Sequence, residues 1–110
     1  MLKKIFLLSF IVFIFSIPAY AVKVYPNPWI PADKSNTHNG IITFAGLSPA
    51  GGTIMIYNST GELVKKLSWD TGSSATWDAK NDIGENVASG VYIWVLTQGG
   101  NENGKIVIVR

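Results

Sequence analysis

Few residues in this sequence combine the types and spacing that chemistry requires. His38 is the single histidine, with Asp33 and Ser35 near it in the polar run from Ala32 to Asn39. A triad works only when a rigid scaffold fixes its members, and this run reads as loop, so His38 is expected to be a solvated loop histidine. No pair of carboxylates suggests glycoside hydrolysis, which needs a deep cleft between two acids. Asp78, Asn81, Asp82 and Glu85 offer hard oxygens of the kind calcium takes about six to eight of. Their spacing departs from the EF-hand pattern, and turns in which Asp and Asn bond nearby backbone amides explain the same residues. Neither a metal nor a cofactor is implied.

Two other features concern binding. Trp29 and Trp69 fall near loops, where exposed indoles would stack on a sugar; a polysaccharide ligand is the expectation if they are exposed, and core packing if they are not. Asn58-Ser59-Thr60 matches a glycosylation acceptor, but a tight turn accounts for it and it is assigned no role.

These residues must be positioned by a chain whose first 21 residues belong to a different process. Lys3 and Lys4 precede an uncharged apolar core from Ile5 to Ile17, then Pro18 and the small-residue site Ala19-Tyr20-Ala21. That is the three-part pattern of a secretory signal peptide, with cleavage expected after Ala21. The core is too short for a stable membrane anchor, which needs about 18 or more apolar residues. The mature chain, 22–110, then holds seven basic and seven acidic side chains, because Lys3 and Lys4 account for the whole formal charge of +2. A neutral surface lacks the basic footprint of nucleic-acid or anionic-membrane binding. With no cysteine there is no disulfide, thiol nucleophile or thiolate site. The product is expected in the periplasm, on the outer surface or outside the cell.

The mature chain reads as one domain of short strands. Val22–Tyr25 alternates, then Pro26, Pro28 and Pro31 remove backbone donors and confine the next segment to a sheet edge. Runs at Ile41–Ala45, Thr53–Tyr57, Leu63–Leu67, Ser74–Trp77, Val91–Thr97 and Lys105–Arg110 are bounded by Gly, Asn, Ser and Pro. Apolar positions show no sustained helical period. The pattern predicts an all-β, Ig-like or fibronectin-III-like antiparallel β-sandwich of about seven strands.

A resemblance adds to this. Trp77-Asp78, Asn81, Gly84, Val87 and Ser89-Gly90-Val91-Tyr92 resemble the W-D-G-x-N-x-x-G-x-x-V-x-S-G-x-Y signature of the Ig-like domain in flagellar hook-capping proteins and related C-terminal modules of secreted bacterial proteins. Val24-Tyr25-Pro26-Asn27-Pro28 resembles the opening of that family and of type IX secretion C-terminal sorting domains. Ile54–Tyr57 with Gly61–Val64 is similar to its central hairpin, and Lys105–Arg110 to its closing strand. Ala79 departs from the pattern, where the family has Gly. Asp78 and Asn81 would organise the loop, Gly84 and Gly90 would take positive φ, and Trp77 and Tyr92 would cap the core.

Alternation puts Tyr92, Trp94 and Leu96 on one face, and the polar residues that relatives carry at Ile93 and Val95 imply that this face is inward. Ile93 and Val95 would then lie outward beside Val107 and Val109, as an apolar patch that could dock a protein partner. The competing expectation is that another strand or the Pro-rich opening covers it; addition of a strand at a free edge is a second route to a partner. Because no cargo lies between Ala21 and the first strand, the chain is expected to be a non-catalytic envelope module acting by protein contact, or a sorting module detached from a larger secreted protein.

Overall fold

A computed structural model describes residues 21–31 and 40–110. The expected signal peptide, apart from Ala21, and His38 with its neighbours Asp33 and Ser35 lie outside the described residues. Seven strands run in order: β1 Lys23–Tyr25, β2 Ile42–Ala45, β3 Gly52–Tyr57, β4 Leu63–Trp69, β5 Ser74–Trp77, β6 Gly90–Gln98 and β7 Asn103–Ile108. They form a three-stranded sheet, β1-β2-β5, and a four-stranded sheet, β4-β3-β6-β7, in which every neighbour is antiparallel. This is the expected β-sandwich.

Most strands bury alternate residues, as a sheet with one solvated face must; β3 departs at its bulge, where Thr53 and Ile54 are both buried, and β1 turns only Val24 partly inward. Ile42 and Phe44 of β2 and Trp77 of β5 face Ile54 and Ile56 of β3, Tyr92, Trp94 and Leu96 of β6, and Ile106 and Ile108 of β7. Two edge-to-face aromatic pairs span the sheets: Phe44 with Trp94, centroids 5.7 Å apart, and Trp77 with Tyr92, 6.0 Å apart. Offset and edge-on geometries of this kind are the favoured ones.

Strand β7 begins earlier than its apolar run suggests, because Asn103 and Gly104 already pair with Val95 and Trp94. Glycine is required there: a Cβ at Gly104 would come within 2.6 Å of the Trp94 indole nitrogen. The strand also stops at Ile108, and Val109 and Arg110 leave the ladder for other partners.

Both edges of the larger sheet are occupied. Along β7, Asn27 and Trp29 act as a partial extra strand: Trp29 N–H donates to the Val107 carbonyl (2.8 Å), Val109 N–H to the Trp29 carbonyl (2.9 Å), and Val107 N–H to Asn27 Oδ1 (3.0 Å). Asn27 Nδ2 donates in turn to the Lys105 carbonyl. The asparagine side chain thus supplies the pairing that the flanking Pro26 and Pro28 have no N–H to give. Along β4, Asp82 N–H donates to the Val64 carbonyl and Lys66 N–H to Asp82 Oδ1.

Candidate contact surfaces and the corner that frames them

The signature residues converge on one corner. Trp77, 1% exposed, closes β5, and its indole N–H donates to the Lys80 carbonyl at 2.8 Å. Asp78 Oδ1 accepts Lys80 N–H, an Asx turn. At the other side of the loop the Tyr92 hydroxyl donates to the Ala88 carbonyl at 2.7 Å, the tyrosine-corner arrangement of Ig-like sandwiches. Burial pushes the Tyr92 phenol up from its ordinary value, and nearby Arg110 opposes this.

Asn81 builds the turn between these anchors. Its Oδ1 accepts the N–H groups of Ile83 and Glu85, its Nδ2 donates to Glu85 Oε1, and its backbone bonds Gly84 and Glu85. Gly84 takes φ 86°, the left-handed region that glycine enters without strain. Gly90 opens β6 at φ 157°, positive as expected and in a region that L side chains rarely adopt.

The same device recurs between β3 and β4, which the sequence reading missed. Asn58 Oδ1 accepts the N–H groups of Thr60 and Glu62, Asn58 Nδ2 donates to Glu62 Oε1, and Gly61 sits at φ 88°. The signal was present as the pentapeptide Asn-x-x-Gly-Glu, at 58–62 and again at 81–85. Hydrogen bonds from Asn58 and Thr60 hold the Glu62 carboxyl below its ordinary value.

Ala79, where the resembled family has Gly, is fully buried with φ 59°. The backbone there keeps the left-handed form despite the methyl group. Its carbonyl is used twice, by Val87 N–H (3.0 Å) and by Arg110 Nη2 (2.9 Å). Arg110 also donates through Nε to the Val87 carbonyl and lies over the Trp29 ring, 5.0 Å from its centroid. Its own N–H donates to Ser89 Oγ. One side chain therefore ties the corner to the Pro-rich opening.

Sugar stacking on Trp29 and Trp69 is corrected. They are 3% and 8% exposed, and stacking needs an open ring face. Trp29 packs in the core beneath Arg110, and the Trp69 indole N–H is committed to the Ser48 carbonyl at 2.9 Å.

The oxygens considered for calcium are engaged within the protein. Asn81 and Asp78 cap their own turns, and Asp82 pairs with Lys65 at 3.5 Å. Among the described residues no group of three or more His, Cys, Asp or Glu is placed to hold a metal. Likewise, no helix among them is long and apolar enough to cross a membrane.

The outward face of the larger sheet differs in detail from expectation. Ile93 is 37% and Val109 45% exposed, while Val95 and Val107 are partly buried. Directly across from Ile93 is Lys105, and across from Val95 is Asn103; Val107 instead faces Val91, which is 42% exposed. Met55 and Tyr57 of β3 extend the apolar area on the far side of β6. The Pro-rich opening covers the β7 edge rather than this face. Strand addition to the larger sheet meets the Asn27–Trp29 segment along β7 and Asp82 beside Val64 and Lys66 of β4.

Fold and corner together define a small Ig-like β-module whose polar loop residues are spent on its own turns. Residues 23–110 match the family described as secretion system C-terminal sorting domain. The chain belongs to that family, which marks a secreted or envelope-associated protein. Among solved structures it is similar to PorZ, described as an essential bacterial surface component of the type-IX secretion system of Porphyromonas gingivalis. There the identity is 27% and the TM-score 0.64, over 82% of this chain and 12% of that one. It also shares its fold with dimeric latent PorU from the same organism, at 21% identity and TM-score 0.54, over 86% of this chain and 10% of that one. The chain thus spans a small part of either protein. Curated proteins gave no match. The hook-capping side of the resemblance finds no support in these matches, and its sorting-domain side does.

Proposed function

We propose that residues 22–110 act as a non-catalytic sorting module of the type IX secretion system, a folded tag that the export machinery reads by protein contact. The observation that carries this reading is the family match across 23–110. The likeness to a part of PorZ agrees with it. The outward face of β3, β6 and β7 is the contact surface: Val91, Ile93, Val95, Val107, Met55 and Tyr57 give it an apolar centre, and Lys66 and Lys105 stand on either side. Contiguous apolar area left on a surface and rimmed by charge is a common mark of protein contact sites.

The test is export of a passenger. A folded reporter carrying a signal peptide, followed by residues 22–110, is expressed in a bacterium with a type IX system. The reporter is expected outside the cell or on its surface. Intact, folded fusion held in the periplasm would refute the reading.

A further inference from the structure

We infer that Glu102 is the acceptor for the amino terminus created when the leader is removed, so that cleavage between Ala21 and Val22 converts an amide-to-carboxylate hydrogen bond into an ion pair. The Val22 nitrogen lies 3.0 Å and 3.3 Å from the two carboxylate oxygens of Glu102, across 80 residues of sequence. The contact is partly buried. Glu102 is fixed independently, because its carbonyl accepts Leu96 N–H at 2.8 Å in the β6–β7 connection. Two carboxylate oxygens thus converge on the atom that the small-residue site Ala19-Tyr20-Ala21 marks for release.

In the uncleaved chain this atom carries one hydrogen and no charge. Hydrolysis adds the water hydroxyl to the Ala21 carbonyl carbon and a hydrogen to the Val22 nitrogen. At neutral pH the new amine holds a further proton, while the Ala21 carboxyl loses one. The resulting ammonium has three donors and a positive charge opposite the carboxylate, where the amide offered one donor and no charge, so a direct Coulomb attraction is added to the hydrogen bond.

The Ala21 carbonyl lies against Gly46, where an added Cβ would approach it to 2.4 Å, and the Val22 N–H is held by Glu102. The Ala21–Val22 bond thus lies beside the β2–β3 connection, with Ala21 exposed and Val22 half-buried. The charged terminus reaches Glu102 whether the cut comes before or after β1 docks. Processing then makes the fold more stable than its precursor, independently of what the module sorts.

Four proteins test this: the full chain and the chain starting at Val22, each with Glu102 and with Glu102→Gln, compared by urea unfolding. The substitution is expected to lower the folding equilibrium constant of the Val22-first chain about fivefold more than that of the full chain, the scale of a partly exposed ion pair. Raising salt to about 0.5 M should shrink the difference by screening. Acetylating the Val22 amine keeps an N–H and removes the charge, so it should reproduce the effect of Glu102→Gln. Mass spectrometry of the exported protein should find Val22 first. Equal losses in both backgrounds, an unchanged midpoint on acetylation, or a different first residue would each overturn the inference.

Discussion

Replacing Arg110 by Met keeps most of the apolar stem and removes only the guanidinium. That group donates to the carbonyls of Val87 and Ala79 and lies over the Trp29 ring. Hydrogen bonds from charged donors contribute about 1.5–3 kcal/mol each, and a cation over an aromatic ring about 0.5–1 kcal/mol at an exposed site. Two facts reduce the sum. Arg110 is only partly buried, so water screens it, and the Ala79 carbonyl keeps its bond from Val87 N–H after the change. The net loss is then about 2–3 kcal/mol. For a domain of this size each kcal/mol moves the melting temperature by roughly 4–8 °C, so the midpoint should fall by about 8–24 °C. Arg110→Lys should recover only part, because an ammonium lacks the planar fork that serves two carbonyls at once. Thermal unfolding followed by tryptophan fluorescence reads both variants. A midpoint for Arg110→Met within about 2 °C of the parent would show that the corner does not depend on this contact.

Other outcomes follow from the same geometry. Tyr92→Phe removes the hydroxyl bond to Ala88 and should cost about 1 kcal/mol in urea unfolding, while keeping the edge-on contact with Trp77. Because the Tyr92 phenol is raised in the fold, its share of stability is complete below the ordinary value of 10.0 and is lost as pH climbs through the higher folded value. The alkaline loss should therefore be smaller in Tyr92→Phe than in the parent. Gly61→Ala and Gly84→Ala should each cost about 1–2 kcal/mol from the left-handed backbone alone, since nothing lies within 4 Å of either added methyl. Gly104→Ala should cost more than either, through collision with Trp94; equal losses at the three positions would contradict the packing. Changing Val95 and Val107 to Lys should leave the melting temperature near the parent value and abolish passenger export; undiminished export would remove the outward face from the mechanism.

Much of the fold was legible because its signals are local. Alternation placed Tyr92, Trp94 and Leu96 on one face, and the burial of that face followed from where polar residues are expected on the other. The turn residues Asp78, Asn81 and Gly84 carry their structure in their own side-chain chemistry. What was not legible depends on distant partners. Arg110 gained its place only when β7 ended beside Val87 and Ala79, over 20 residues away in sequence. Trp29 and Trp69 sit near turns in the chain, which left exposure and core packing both open; in the fold Trp69 ends β4 on the same buried face as Leu67, and Trp29 docks beside Ile108 of β7. The paired Asn-x-x-Gly-Glu turns were visible as letters, but five residues are too few to stand out as a repeat without the shared bonding pattern.

The plugged edges of the larger sheet bear on how such a chain behaves in a crowd. An unblocked outer strand offers its backbone to any extended segment that drifts past. Here that hazard is held off by Asn27 and Trp29 on one side and by Asp82 on the other. Damage at Asn27 or Asp82 would accordingly register as turbidity in concentrated samples before it registered in a melting curve. The margin these residues protect is colloidal, and it belongs to the population of molecules rather than to any single one.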